Sequence, residues 1–150
     1  MEWQRGPFTV TDDPSRIDAD ALIHFLNEES YWGQDLPADT IRRSVERSLC
    51  LSLQDSGKQI GFARVITDYA VFGYLEDVYV DGSYRGQGLG RWLIECVLAH
   101  PDVAALKKLM LATADAHALY RPFGFEVSAH PEMIMERYNS ERFSQFAGEE

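Results

Sequence analysis

The chain predicts a mixed α/β fold, a mostly antiparallel central sheet flanked by helices, and three observations carry that expectation. Apolar runs at 49–54 and 60–67 flank Asp55-Ser56-Gly57, which is the turn chemistry of a β-hairpin. A strand-like run over 72–80 enters a glycine-rich loop, a helical pattern follows over 88–100, and a short apolar run covers 108–113, so strand, helix and strand succeed one another. Ahead of the hairpin, Ile17, Ala21, Leu22, Phe25 and Leu26, then Ile41 and Val45, recur at helical spacing.

The remaining elements follow in order. Residues 8–11 read as a first strand. Asp13-Pro14 supplies an N-cap and an N1 proline for the first helix. Tyr31-Trp32-Gly33 interrupts it, and a second helix begins near Pro37. Pro101 closes the helix over 88–100, 115–121 forms a short helix, and 125–128 and 133–136 are expected as two closing strands. No internal repeat or low-complexity linker divides the chain, so residues 1–150 read as a single domain with a polar tail after Tyr138.

Composition narrows the function. Hydrophobic residues make up 45% and charged residues 25% of the 150 residues, as in globular proteins. A formal charge of −10 disfavours a nucleic-acid partner and suits a cationic one. Cys50 lies in an apolar run and Cys96 in a helical pattern; both read as small buried hydrophobes. The N-terminal MEWQRGPF lacks the layout of a secretory signal, and no stretch approaches the ~20 apolar residues of a bilayer span. A cytoplasmic location without membrane contact is the default expectation. His24, His100, His117 and His130 are scattered, so no metal site is expected, and no serine sits in a G-x-S-x-G context.

The chemistry concentrates in Arg85-Gly86-Gln87-Gly88-Leu89-Gly90-Arg91. Alternating glycines let the backbone approach a ligand and turn N–H groups toward it, and the loop opens a helix whose positive dipole end faces the same space. That combination is a main-chain phosphate site, with Arg85 and Arg91 as flanking charges. A Walker loop is excluded because no lysine follows the glycines, and the third glycine comes one residue early for the dinucleotide fingerprint.

Arg85 to Gly90 matches the [RQ]-x-x-G-x-[GA] loop, and Tyr120 followed by Gly124-Phe125 matches a second motif, of the GCN5-related N-acetyltransferases (GNAT). The chain resembles that family from about Ile60 to Glu136. Tyr74-Leu75-Glu76-Asp77 resembles the matching strand of spermidine/spermine acetyltransferases. The resemblance implies the acyl-CoA N-acyltransferase fold and acetyl-CoA as the acyl donor. It implies transfer to a primary amine by direct attack within a ternary complex, without a metal.

The resemblance further implies that Gln87, Gly88 and Gly90, together with Gly86 and Leu89, surround the cofactor's diphosphate, and that Val78, Tyr79 and Val80 flank its pantetheine arm at a strand bulge. Thr113 stands where many members carry asparagine. Tyr120 is the candidate general acid, since a phenol keeps its proton at neutral pH; as a short-helix aromatic it also suits plain packing. Glu76 is the candidate base, or a carboxylate that orients a cationic substrate or pairs with an arginine. Strand alternation places Glu76, Val78 and Val80 on one face and Leu75, Asp77 and Tyr79 on the other. Tyr31 and Trp32 either line the acceptor pocket or pack between helices, and Tyr69, Phe72 and Tyr74 offer an aromatic wall suited to a cation. His117 stands one helical turn before Tyr120 and either tunes it or faces solvent.

The acceptor classes open at this point are a small cationic amine, which the acidic balance favours, an amino acid or antibiotic, and a protein N-terminus or lysine. A catalytically silent CoA-binding module and an interaction domain without cofactor are the competing functions. Members of the family often dimerise, so the resemblance suggests a homodimer.

Overall fold

Alternation along the third strand sets the layers. In β3 (Leu49–Asp55), Leu49, Leu51 and Leu53 enter one core while Cys50 enters another, and nearly every residue of the strand is buried. A strand covered on both faces reads as a continuous apolar run, which is why the hairpin was conspicuous in the sequence. The structure, a computed structural model, describes residues 1–143.

Six strands pair in chain order: β1 (Glu2–Arg5), β2 (Phe8–Thr11), β3, β4 (Lys58–Thr67), β5 (Phe72–Val80) and β6 (Lys108–Met110). All neighbours are antiparallel except β5 and β6, which run parallel through the crossover helix α3 (Leu89–Ala99). Helices α1 (Ala19–Glu28) and α2 (Ala38–Glu46) cover one face through Leu22, Phe25, Leu26 and Ile41. Helix α3 covers the other through Trp92, Leu93, Ile94 and Val97. The sheet is therefore mixed, mostly antiparallel and flanked by helices.

Several boundaries differ from the sequence expectation. Asp13 and Pro14 do form a capped start, but of a short 3-10 turn, Pro14–Arg16; α1 starts later, where the Asp18 carboxylate accepts from Ala21 N–H at 3.0 Å. Pro101 ends α3 and at once serves as the first residue of α4 (Pro101–Ala104), capped by His100 Nδ1. The short helix α5 is His117–Tyr120. β1, which sequence periodicity did not single out, is mostly exposed and pairs only with β2.

The two closing strands expected at 125–128 and 133–136 are absent. That stretch holds a 3-10 turn, Pro131–Met133, and otherwise irregular chain, with Val127 and Met135 exposed. Residues 125–128 alternate and 133–135 form an apolar run, yet neither segment finds a neighbouring strand to pair with among the described residues, although Phe125 packs on Tyr120. No helix among those residues is long and apolar enough to cross a membrane.

Gly61 in β4 is required by packing. A Cβ there would stand 2.8 Å from the Tyr79 carbonyl oxygen across the ladder. Gly61→Ala is therefore expected to lower stability by about 1–3 kcal/mol, measured by denaturant titration, because backbone rather than a yielding side chain must move. Unchanged stability would contradict the assigned β4–β5 register.

Candidate active site

The β5–β6 pairing is short. It joins only Phe72, Gly73 and Tyr74 to Lys108, Leu109 and Met110, so beyond Tyr74 the outer edge of β5 has no strand partner among the described residues. Asp81 N–H donates to Ile60 O at 2.7 Å. Alternation along the ladder therefore turns the N–H groups of Val80 and Val78 away from β4, toward the gap. A cleft of about 1020 Å³ runs along this edge, from the glycine loop to the segment joining α1 and α2.

At one end of the cleft, Gly86 (φ 82°) and Gly88 (φ 76°) lie in left-handed backbone, and Gly88 caps α3 without a side-chain hydrogen bond. Among the described residues, none of the main-chain N–H groups from Gly86 to Arg91 finds an acceptor. A Cβ on Gly86 or Gly88 would meet nothing within 4 Å, so conformation and approach, not internal packing, select glycine. Arg85 and Arg91 are exposed, line the cleft and form no ion pair among the described residues. Leu89 is buried beneath the loop and Gly90 lines it. The Gln87 side chain does not line the cleft; its amide donates to Tyr84 O at 3.4 Å. Thr113 does line it, and its hydroxyl accepts from Ala116 N–H at 3.0 Å, which orders the turn leading into α5.

The middle of β5 departs from strand alternation. Phe62 pairs with Tyr79 and Arg64 with Glu76, so Ala63 opposes two residues, Asp77 and Val78: a β-bulge. Asp77 adopts φ 55°, a left-handed conformation that Asp tolerates at a cost of about 1 kcal/mol. The bulge reverses parity. Leu75, Val78 and Val80 pack toward α3, whereas Glu76 and Tyr79 face the α1 side. The expected grouping of Glu76 with Val78 and Val80 is therefore wrong, and so is the separation of Glu76 from Asp77. Both carboxylates meet on one buried guanidinium, with Arg64 Nε donating to Asp77 Oδ2 at 2.8 Å and an Arg64 terminal nitrogen to Glu76 Oε2 at 2.6 Å.

Glu76 remains 38% exposed at its side chain, and its Oε1 accepts no hydrogen bond among the described residues. Burial, followed by the Asp77 charge, raises its carboxyl above the usual range, although Arg64 opposes both. Tyr79 stacks on Phe25 with centroids 4.0 Å apart, which buttresses the bulge from behind.

Tyr120 is buried, lines the cleft, and packs edge-on against Phe125 at 5.7 Å. Its hydroxyl makes no hydrogen bond among the described residues, and burial, then Tyr31, pushes its pKa up to about 12. Tyr31 and Trp32 both line the cleft. Trp32 donates its indole N–H to Asp77 Oδ1 at 3.0 Å, and the Tyr31 hydroxyl accepts from Ala114 N–H at 3.1 Å. Tyr74 lines the cleft as well, whereas the exposed Tyr69 and Phe72 do not. His117 is solvent-facing. The expectation had not included Arg64, whose signal is a lone charge inside the apolar β4 run opposite an acidic pair.

Cys50 and Cys96 are buried and unpaired, with thiols that burial pushes up to about 12, so neither is a ready nucleophile. Among the described residues no group of three or more His, Cys, Asp or Glu could hold a metal ion.

Comparison with known proteins agrees with this geometry. The model of the acetyltransferase (GNAT) domain matches residues 46–127. A protein of Gibberella zeae, FG08082, described as a candidate acetyltransferase, is 31% identical over 140 residues, covering 80% of this chain and 79% of that one. The crystal structure of xcc2953 of Xanthomonas campestris pv. campestris, assigned to the GNAT family, superposes with a TM-score of 0.84 at 40% identity, covering 87% of this chain and 92% of that one. A GNAT family acetyltransferase of Elizabethkingia anophelis, solved with acetyl-CoA bound, shares the fold at 16% identity and a TM-score of 0.63, covering 83% and 79%. A half-split sheet with a glycine loop at the head of its crossover helix defines the class, an acyltransferase. The chain belongs to the GNAT acetyltransferase family.

Proposed function

We propose that the chain transfers an acetyl group from acetyl-CoA to the primary amine of a small cationic acceptor, by direct attack with both substrates bound. One observation carries the reading: a single cleft joins a rim of main-chain N–H groups at 86–91, unpaired among the described residues, to an acid- and aromatic-lined end at Glu76, Asp77, Tyr31, Trp32 and Tyr74.

The residues present fit the cofactor. The N–H groups of Gly86, Gln87, Gly88 and Gly90 at the head of α3 suit the diphosphate, with Arg85 and Arg91 beside them. The free β5 edge at Val78 and Val80, facing the turn that Thr113 orders, suits the pantetheine amides. Acetyl-CoA supplies the activated acyl carbon and a thiol leaving group.

The protein's residues then divide the remaining work. Val78 N–H, held at the bulge, stabilises negative charge growing on the acyl oxygen. Glu76 Oε1, raised in basicity by burial, takes a proton from the bound ammonium, directly or through one water, and leaves the neutral amine that attacks the acyl carbon. Tyr120 gives its proton to the departing sulfur as the C–S bond breaks, and the proton that the nitrogen sheds on becoming an amide restores the phenol. Tyr31, Trp32 and Tyr74 wall a cationic group electrostatically as well as by contact.

The direct test is thiol release from acetyl-CoA against a panel of polyamines, amino acids, aminoglycosides and lysine peptides. Turnover with a small cationic amine is expected. Release only with peptides would place the acceptor on a protein, and cofactor binding without release for any acceptor would identify a silent CoA module. Glu76→Gln is expected to lower kcat/KM by about tenfold to 100-fold. Because the carboxylate form is the active one and its pKa is raised, the parent should lose activity as pH falls through a value above the usual carboxylate range. That acid limb should vanish in the variant, and a limb that persists would remove Glu76 as the base.

A further inference from the structure

Asp77 occupies the position in β5 where a side chain is least favoured, and it is held there from two directions. It is the bulge residue at φ 55°, and its carboxylate is buried. Both carboxylate oxygens are occupied: Oδ2 accepts from Arg64 Nε at 2.8 Å and Oδ1 from Trp32 Nε1 at 3.0 Å. Arg64 is itself buried and gives its other nitrogens to Glu76 Oε2 at 2.6 Å and to Ser48 Oγ at 3.1 Å.

A buried guanidinium–carboxylate pair does not stabilise a sheet face better than well-packed apolar residues would, because desolvation offsets the attraction. What this pair does supply is direction. It joins β4, β5 and the segment between α1 and α2 at one carboxylate, and that carboxylate belongs to the residue whose backbone reverses the parity of β5. The amide immediately after it is Val78 N–H, on the free edge of the strand. Without the two donors, a non-glycine residue gains by relaxing to ordinary strand geometry; with the β6-paired half of β5 fixed, the later half would slip by one residue and turn that amide toward β4.

We propose that Asp77, clamped by Arg64 and Trp32, is a positioning residue that locks the bulge so that Val78 N–H faces the acyl oxygen, and that fixes the acceptor-side segment to the same point. The proposal rests on the reading of the cleft given above. Asp77 touches no reacting atom and acts through Val78 and Trp32. Its loss should therefore affect the acyl group selectively and leave the diphosphate end intact, since among the described residues no hydrogen bond or ion pair joins the loop at 86–91 to the clamp.

The experiment uses the full chain and carbonyl-labelled acetyl-CoA. Infrared difference spectra should show the bound thioester carbonyl lowered in frequency relative to free cofactor, the signature of a hydrogen bond to its oxygen. Asp77→Asn, which keeps the size but removes the charge, should return that frequency most of the way to the free value. Affinity for CoA, which has no acyl oxygen, should stay within about threefold, while kcat with the best acceptor falls about tenfold or more. Trp32→Phe keeps the ring contacts with Phe25 and Tyr31 and removes one donor, so it should shift frequency and kcat the same way by less. Should Asp77→Asn fail to fold, Trp32→Phe carries the test. Parental frequency and kcat in a folded variant overturn the proposal alone. A parent whose carbonyl frequency does not move on binding overturns the reading of the cleft and the proposal together.

Discussion

Tyr120→Phe is expected to lower kcat by about 10²–10⁴-fold, the usual contribution of a positioned proton donor. The expectation depends on what the substitution leaves untouched. The ring keeps its edge-on contact with Phe125 and its burial in the core under α3. The hydroxyl has no hydrogen-bond partner among the described residues, so its removal orphans no polar group and should cost little stability. The hydroxyl contributes nothing to the diphosphate end of the cleft, so the Kd for acetyl-CoA should stay near the parental value. Selective loss of kcat with binding preserved marks a group that acts in the transition state. With its pKa pushed up to about 12 by burial and by Tyr31, the phenol stays protonated across neutral and mildly alkaline pH, so it should impose no alkaline decline there. Steady-state kinetics with parallel thermal denaturation decide the matter, and a kcat equal to the parent would remove Tyr120 as the acid.

Gly88→Arg should weaken acetyl-CoA binding by about 100-fold or more, equivalent to the loss of two or more charge-assisted hydrogen bonds. Gly88 caps α3 at φ 76°, where an L-residue is strained by about 1 kcal/mol, and a Cβ there meets no protein atom within 4 Å. The variant should therefore fold, slightly destabilised, with its new side chain in the space that the N–H groups of 86–91 face. Adding positive charge cannot by itself explain a loss of affinity for a diphosphate, so the direction of the effect separates obstruction from electrostatics. Isothermal titration with acetyl-CoA measures it. Unchanged affinity would mean that the loop does not cradle the cofactor.

The two ends of the cleft were not equally legible in the sequence. The glycine loop was, because alternating glycines at the head of a helix have few other physical uses; the loop does open α3, and its N–H groups find no acceptor among the described residues. The register of β5 was not. Period-two alternation assumes an unbroken ladder, and the bulge at Asp77 moves every later side chain to the opposite face. Nothing local announces it, since Asp is disfavoured in strands generally and its partners, Arg64 and Trp32, lie far away in sequence.

The same limitation explains the two expected strands that are absent at 125–128 and 133–136, whose apolar residues have no neighbouring strand to pair with among the described residues. At the helix starts, Asp13-Pro14 and Asp18 are chemically equivalent caps. Tertiary anchoring decides between them: the Gln59 side chain binds both the Asp18 N–H and its carbonyl, fixing that residue as the start of α1.

The order in which the sheet can assemble has a bearing on how the protein survives in use. β3, β4 and β5 form a meander with tight turns that can zip up early, whereas β6 must wait until α3 has crossed the sheet and docked. The cleft lies along this seam between early and late. A molecule spanning both sides recognises only the finished chain, and at 100 times its Kd it would add about 2.7 kcal/mol against reopening. On the proposed reading of the cleft, the acyl donor would therefore also act as a fastener for the part of the sheet that closes last.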